Sequence, residues 1–262
     1  MKQQLARNLE SVRSRINDAC ERAGRRPEEV KLVTVTKSAG MEAIRTLAEL
    51  GMEDLAENQV QQLTKRAGML QESLNRFGTH VGSTHPQPKW HMIGHLQRNK
   101  VQSVLPWVSL IHSLDSLRLA EEIDAQAAKL DTVTPVLLQV NISNELQKFG
   151  IAVAAALPLL EQIGSLPHLE IRGMMGMAPF TTDADVIRRT FSRGKELFDE
   201  IRSEKVGGPS FQELSMGMSN DFEHAVEFGA TMVRVGSAVF EGIEQMGDPL
   251  NLHDAAEASP GQ

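Results

Sequence analysis

The chain has 262 residues, 41% hydrophobic and 23% charged, which is ordinary globular composition with enough apolar material for a sizeable core. A net charge of −7 argues against binding to nucleic acid, whose phosphate backbone selects basic surfaces. The lone cysteine, Cys20, excludes an intrachain disulfide and fits a reducing cytoplasmic compartment; the first residues lack the apolar stretch of a secretory signal, and no run is long enough to span a membrane.

Leu5, Leu9, Val12, Ile16 and Ala19 recur at helical spacing and predict an amphipathic helix over 2–23, ended by Gly24 and Pro27. A β-branched strand over 30–37 follows, then a helix from Met41 to Leu50, a short segment 53–58 and a helix from Val60 to Leu74. The loop over 77–89 is rich in Gly, Pro and His and reads as an insertion. Strands are then predicted over 90–97, 109–115, 134–142, 169–177, 211–219 and 231–236. Helices over 99–105, 117–130, 157–163, 185–205 and 222–228 separate them.

A helix followed by eight strand-then-helix units, with no break in composition, predicts a single α/β domain over 1–247. The expected architecture is a (β/α)8 TIM barrel preceded by an N-terminal helix, for which ~250 residues is typical. A doubly wound sheet is the rival, but Thr36-Lys37-Ser38-Ala39 is not the glycine-rich first turn that such a sheet uses. The remaining 248–262 reads as a polar, disordered tail.

The first strand ends abruptly in Lys37. Alternation puts Val33, Val35 and Lys37 on one face, so the amine is expected to continue an apolar row and to be partly desolvated. Desolvation disfavours the ammonium form, as imine formation with a carbonyl compound requires.

Barrels commonly bind phosphate in the loops after strands seven and eight. Both loops suit that task here. Ser215-Met216-Gly217-Met218-Ser219 leads to a helix start with Asn220 and Glu223 at capping-box spacing. In Arg234-Val235-Gly236-Ser237, Gly236 admits a ligand to the backbone and Ser237 is expected to head a short helix whose free N–H groups attract an anion. The lysine and this cradle are expected to face one another across the mouth. An amine paired with a phosphate clamp matches pyridoxal 5′-phosphate.

The segments Val33-Thr34-Val35-Thr36-Lys37, Ala56-Glu57-Asn58, 90–100, 112–116, 139–142, 214–219 and 233–237 occur in an order that resembles the pyridoxal phosphate homeostasis protein family over about 5–242. That resemblance implies the barrel of the alanine racemase N-terminal domain without the racemase β domain. It further implies that Lys37 carries the cofactor as an aldimine, that Ser219, Gly236 and Ser237 hold its phosphate with Met218 beside them, that Arg234 meets the pyridine nitrogen, and that Asn58 lies near the ring. Ala56 departs from the family's glycine.

The function so implied is a holder of the cofactor, taking part in vitamin B6 and amino-acid balance without robust catalysis. It would bind other B6 vitamers, deliver to apoenzymes and act as a monomer. A permanent cation at the pyridine nitrogen disfavours its protonation and weakens the ring as an electron sink. The enzymatic alternative is a racemase-like activity, for which racemases of this fold use a tyrosine from the second domain; this chain contains none. A Schiff-base aldolase for sugar phosphates is a remoter alternative. His91, Ile93 and His95 share one predicted strand face, where packing or hydrogen bonding is favoured over zinc for want of further ligands. Met174, Met175, Met177, Met216 and Met218 read as core and pocket-wall residues.

Overall fold

A computed structural model describes residues 1–78, 87–145 and 149–243. The tail 248–262 and most of the loop predicted over 77–89 lie outside the described residues, so the bounds expected for the domain end and the insertion are not addressed by it.

Among the described residues, β1 (Lys31–Val35), β2 (Asp54–Glu57), β3 (Lys89–Met92), β4 (Val108–Leu114), β5 (Thr134–Gln139), β6 (Leu169–Met175), β7 (Glu213–Ser215) and β8 (Met232–Val235) close in chain order into a parallel barrel. The connecting helices are α2 (Met41–Glu49), α3 (Val60–Gly78), α4 (Val101–Val104), α5 (Leu117–Lys129), α6 (Ala156–Ile163), α7 (Ala184–Glu204) and α8 (Phe222–Glu227). Helix α1 (Lys2–Arg22) precedes them, as its apolar spacing predicts. The alternating strand and helix pattern therefore resolves into the TIM barrel expected from sequence.

Period-2 alternation divides the core in two. Val33, Val35, Ala56, Leu110, Leu137, Met175 and Met232 fill the barrel interior, while the intervening residues, such as Leu55, Met92, Ile111, Val136 and Val233, pack outward beneath the helices. On α1, Leu5, Leu9, Val12, Ile16, Ala19 and Cys20 are buried, each large aliphatic contributing roughly 1.5–3 kcal/mol of transfer free energy. Asn8 on the same helix donates to the carbonyls of Val239 and Glu241 at 2.9 and 2.8 Å, which ties α1 to the segment after β8.

Strand lengths are the main difference from the sequence expectation. The ladder of β1 stops at Val35, two residues before Lys37, and β3 stops at Met92 rather than reaching Gln97. Beyond the ladder, the chain must turn over the rim. Gly94 makes such a close approach there that a Cβ would lie 1.9 Å from the carbonyl oxygen of Asn58.

Candidate functional site

The barrel mouth is built from the chain just past the strand ends. Thr36 donates its N–H to the carbonyl of Ala56 at 2.9 Å, and Ala39 donates back to the carbonyl of Thr36 at 2.8 Å, so Lys37 and Ser38 form the top of a tight turn. Lys37 is exposed, in contrast to the desolvated amine expected from sequence. The cause is the early end of β1: the ladder stops at Val35, and Lys37 stands on the turn that follows rather than in the barrel wall. Among the described residues, none pairs with its ammonium group.

Closure of the barrel also changes the relation between Lys37 and the glycine loops. β1 and β8 are hydrogen-bonded neighbours, with Val33 opposite Arg234 and Thr34 opposite Val235. Lys37 and the loop after β8 consequently occupy adjacent parts of the rim rather than facing one another across the mouth. Gly236 fits this junction closely, since a Cβ there would lie 3.1 Å from the carbonyl oxygen of Val35.

The two loops meet at Ser219. Its Oγ accepts from the backbone N–H of Gly236 at 3.2 Å and of Ala238 at 3.5 Å. Two main-chain donors thus converge on one half-buried hydroxyl. Ser237 is exposed between them, on a turn closed by Val239 N–H to Gly236 C=O at 2.9 Å rather than on the short helix expected. The capping box expected at Asn220 and Glu223 is also absent. Asp221 caps the loop instead, accepting from the N–H of Met218 at 2.5 Å, while Glu223 pairs with Arg15 of α1 at 2.7 Å. Burial of Asp221 pushes its carboxyl upward. Met218 is 38% exposed at the rim, unlike Met174, Met175 and Met216, which are buried.

Arg234 points into the barrel, on the face it shares with Met232, and is buried. It donates to the Ser215 hydroxyl at 2.6 Å and to the carbonyl of Gly176 at 3.2 Å. Desolvation lowers its pKa to about 10, against the opposing pull of Asp221, so it remains a cation at neutral pH.

Below it runs a chain of polar residues whose linkage sequence reasoning missed. Ser215 Oγ lies 3.0 Å from His112 Nδ1, His112 Nε2 lies 2.9 Å from His91 Nδ1, and His91 Nε2 lies 2.9 Å from Asp54 Oδ1. Asp54 lines a cavity of about 220 Å³ at the foot of the barrel with Lys31, Lys89, Arg172 and Glu213. Burial, reinforced by His91 and Arg234, holds His112 well below the usual histidine range. The histidine at 91 therefore belongs to the interior, whereas His95 sits on the rim, 3.3 Å from Asp115 and stacked on Phe149. No group of three potential metal ligands occurs among the described residues. Inward-facing polar residues in otherwise apolar strands were the available signal.

Asn58 is exposed at the end of β2 and lines a 250 Å³ recess with Gln59, His95, Gln97 and Lys100. Gln139, buried at the end of β5 and two residues beyond inward-facing Leu137, has a side-chain oxygen without a hydrogen-bond partner among the described residues. Of the residues singled out from sequence, Lys37, Ser219, Gly236 and Ser237 lie on adjoining parts of the rim, Arg234 lies beneath them, and Asn58 and Met218 stand at its edge. A larger cavity, about 540 Å³, lies behind Ser38 and Gly40 against the start of α1, but the chemical groups converge at the mouth rather than there.

Comparison with known proteins adds an independent observation. The family model described as the alanine racemase N-terminal domain matches residues 5–243. The pyridoxal phosphate homeostasis protein of Aquifex aeolicus is 37% identical over 88% of this chain and 95% of its own length. That of Escherichia coli strain K12 is 35% identical, covering 90% of this chain and 95% of the relative. The solved structure of PipY from Synechococcus elongatus PCC7942, with PLP bound, superposes with a TM-score of 0.74 at 31% identity, covering 90% of this chain and 99% of that one.

Proposed function

Because this chain belongs to the alanine racemase N-terminal domain family and, within it, to the pyridoxal phosphate homeostasis proteins, we propose that it binds pyridoxal 5′-phosphate at the barrel mouth and takes part in the intracellular balance of that cofactor and of amino acids. The observation that carries this reading is the convergence of the Gly236 and Ala238 amides on Ser219, beside a lysine with no partner among the described residues.

The residues present fit the cofactor's functional parts. The N–H groups of Gly236 and Ala238, which here donate to the Ser219 hydroxyl, would turn to a phosphate dianion that takes the acceptor's place, with the hydroxyls of Ser219 and Ser237 beside it. Lys37 would supply the amine that meets the cofactor's aldehyde. Arg234 would meet the ring nitrogen, with Asn58 and Met218 at the ring's edge. When bound, the cofactor supplies a conjugated ring able to accept electrons from an attached amine.

The protein's own groups favour holding over turnover. Arg234 is a buried cation fixed by Ser215 and the Gly176 carbonyl; beside the ring nitrogen it would disfavour protonation there and so limit electron withdrawal. Neither can a tyrosine serve as a second proton-transfer group, since the chain has none. The exposed Lys37 rim leaves room for an incoming amine to compete for the aldehyde, which gives a route for release to apoenzymes or exchange of vitamers. We read the holder as a cytoplasmic monomer. No helix among the described residues is long and apolar enough to cross a membrane.

The test is the visible absorption of the purified protein with added pyridoxal 5′-phosphate, before and after borohydride, followed by peptide mass mapping. A band that reduction removes, leaving the label on Lys37, supports the reading. A protein that takes up no cofactor, or is labelled elsewhere, overturns it. Steady racemisation of an amino acid, lost in Lys37→Ala, would overturn the holder assignment alone.

A further inference from the structure

Behind the exposed lysine lies a fully buried ion pair. Arg66 on α3 and Glu57 at the end of β2 both have 0% side-chain exposure. Arg66 Nη1 donates to Glu57 Oε1 and also to the carbonyl of Thr36 at 2.7 Å, while Nη2 donates to the carbonyl of Ala39 at 2.9 Å. The guanidinium therefore grips the backbone on both sides of Lys37-Ser38. Glu57 completes the attachment, because its Oε1 accepts from the Thr36 hydroxyl at 2.5 Å and that hydroxyl also contacts the carbonyl of Ala56 at 3.2 Å.

This arrangement is specific to arginine. Two donors separated by the planar guanidinium reach two carbonyls three residues apart, whereas a lysine offers one point charge. Nor is overall stability a sufficient account of it. A buried ion pair commonly gives no more stability than two well-packed apolar residues, because desolvation offsets the attraction. Burial pushes the Glu57 carboxyl upward, and Arg66 with the Thr36 hydroxyl opposes that rise by favouring the ionised form. What the pair does provide is a fixed direction of departure for a side chain that has no wall around it.

We propose that Arg66 and Glu57 are positioning residues for Lys37, holding its turn so that the amine meets an aldehyde whose phosphate is seated at Ser219 and Gly236. This inference rests on the cofactor reading above. Capture joins the neutral Lys37 nitrogen to the aldehyde carbon and releases the carbonyl oxygen as water with the two amine hydrogens; an ammonium form first gives one proton to solvent. Without the clamp, the amine samples directions that miss the carbon, and misplacement on the ångström scale costs reaction rate far more than binding.

The experiment compares the wild type with Arg66→Lys and with the paired variant Arg66→Met/Glu57→Leu, which leaves no lone buried charge. Two quantities are measured on protein whose fold is verified by circular dichroism. One is the rate of capture of pyridoxal 5′-phosphate, read by absorbance and by borohydride-trapped mass at Lys37. The other is affinity for pyridoxine 5′-phosphate, which retains the ring and phosphate but has an alcohol in place of the aldehyde. Capture at Lys37 is expected to slow roughly tenfold to a hundredfold, with pyridoxine 5′-phosphate affinity unchanged.

Unchanged capture in folded variants overturns the proposal. Equal loss of capture and pyridoxine 5′-phosphate affinity also overturns it, since the pair would then merely support the whole mouth. If both variants fail to fold, Thr36→Val removes only the hydroxyl link to Glu57, and it must slow capture without weakening pyridoxine 5′-phosphate. A wild type that never labels at Lys37 overturns the cofactor reading and this inference with it, so the two failures are distinguishable.

Discussion

Arg234 of β8 and Ser215 of β7 are joined by a 2.6 Å hydrogen bond inside the barrel, with the guanidinium as donor. That bond is the upper end of a chain of polar contacts that runs down the barrel axis. From Ser215 the chain passes to His112 at 3.0 Å, from His112 to His91 at 2.9 Å, and from His91 to Asp54 at 2.9 Å. Burial disfavours the charged form of His112 within this chain. A cation at the mouth and a carboxylate at the foot are the two ends of one polarised chain.

Because His112 is buried and its pKa lies below the ordinary value near 6.5, the unfolded chain binds its proton first as pH falls. The contribution of the neutral, folded form is complete above pH ~6.5 and declines below it, toward the depressed native value. Urea unfolding of the wild type should show falling stability over this acid range. His112→Gln should flatten the slope there, and an unaltered slope would refute the neutral assignment.

Ser215→Ala removes the link between the cation and the histidines. It leaves an Arg234 N–H and His112 Nδ1 without their shared partner, so a loss of about 1–3 kcal/mol is expected in chemical denaturation. A loss confined to a few tenths of a kcal/mol would show that the links are energetically idle.

Gly217 has φ +90°, and a Cβ there would stand 2.6 Å from Ala225 Cβ and 2.8 Å from Phe222 Cα. Gly217→Ala combines a disfavoured backbone with a clash against α8. The expected cost is about 2–4 kcal/mol, together with weaker binding of phosphate-bearing ligands as the Ser219 loop shifts. Calorimetric melting and ligand titration measure the two effects.

Removing the hydroxyls at the rim tests the anion site directly. Ser219→Ala with Ser237→Ala should weaken pyridoxal 5′-phosphate by roughly tenfold or more, since hydrogen bonds to a charged group contribute about 1.5–3 kcal/mol each. Pyridoxal, which has no phosphate, should be affected less. Equal weakening in fluorescence titrations would place the phosphate elsewhere.

The primary sequence carried the barrel because local rules carry it: inward and outward residues alternate along strands such as Val33-Thr34-Val35, helical spacing marks α1, and the repeat of strand and helix counts to eight. Lys37 and the glycines at 217 and 236 were legible for the same reason, since each lies at the end of a segment whose period is visible. The point at which a ladder stops was not. The strand β1 ends at Val35, and the turn after it is held by Arg66, a residue 30 positions from Thr36. Only the tertiary structure joined Asp54, His91, His112, Ser215 and Arg234 into one chain. Periodicity tells which face of a strand a residue occupies; which residues meet inside a closed barrel depends on strand tilt and stagger, and those are settled by packing the whole cylinder.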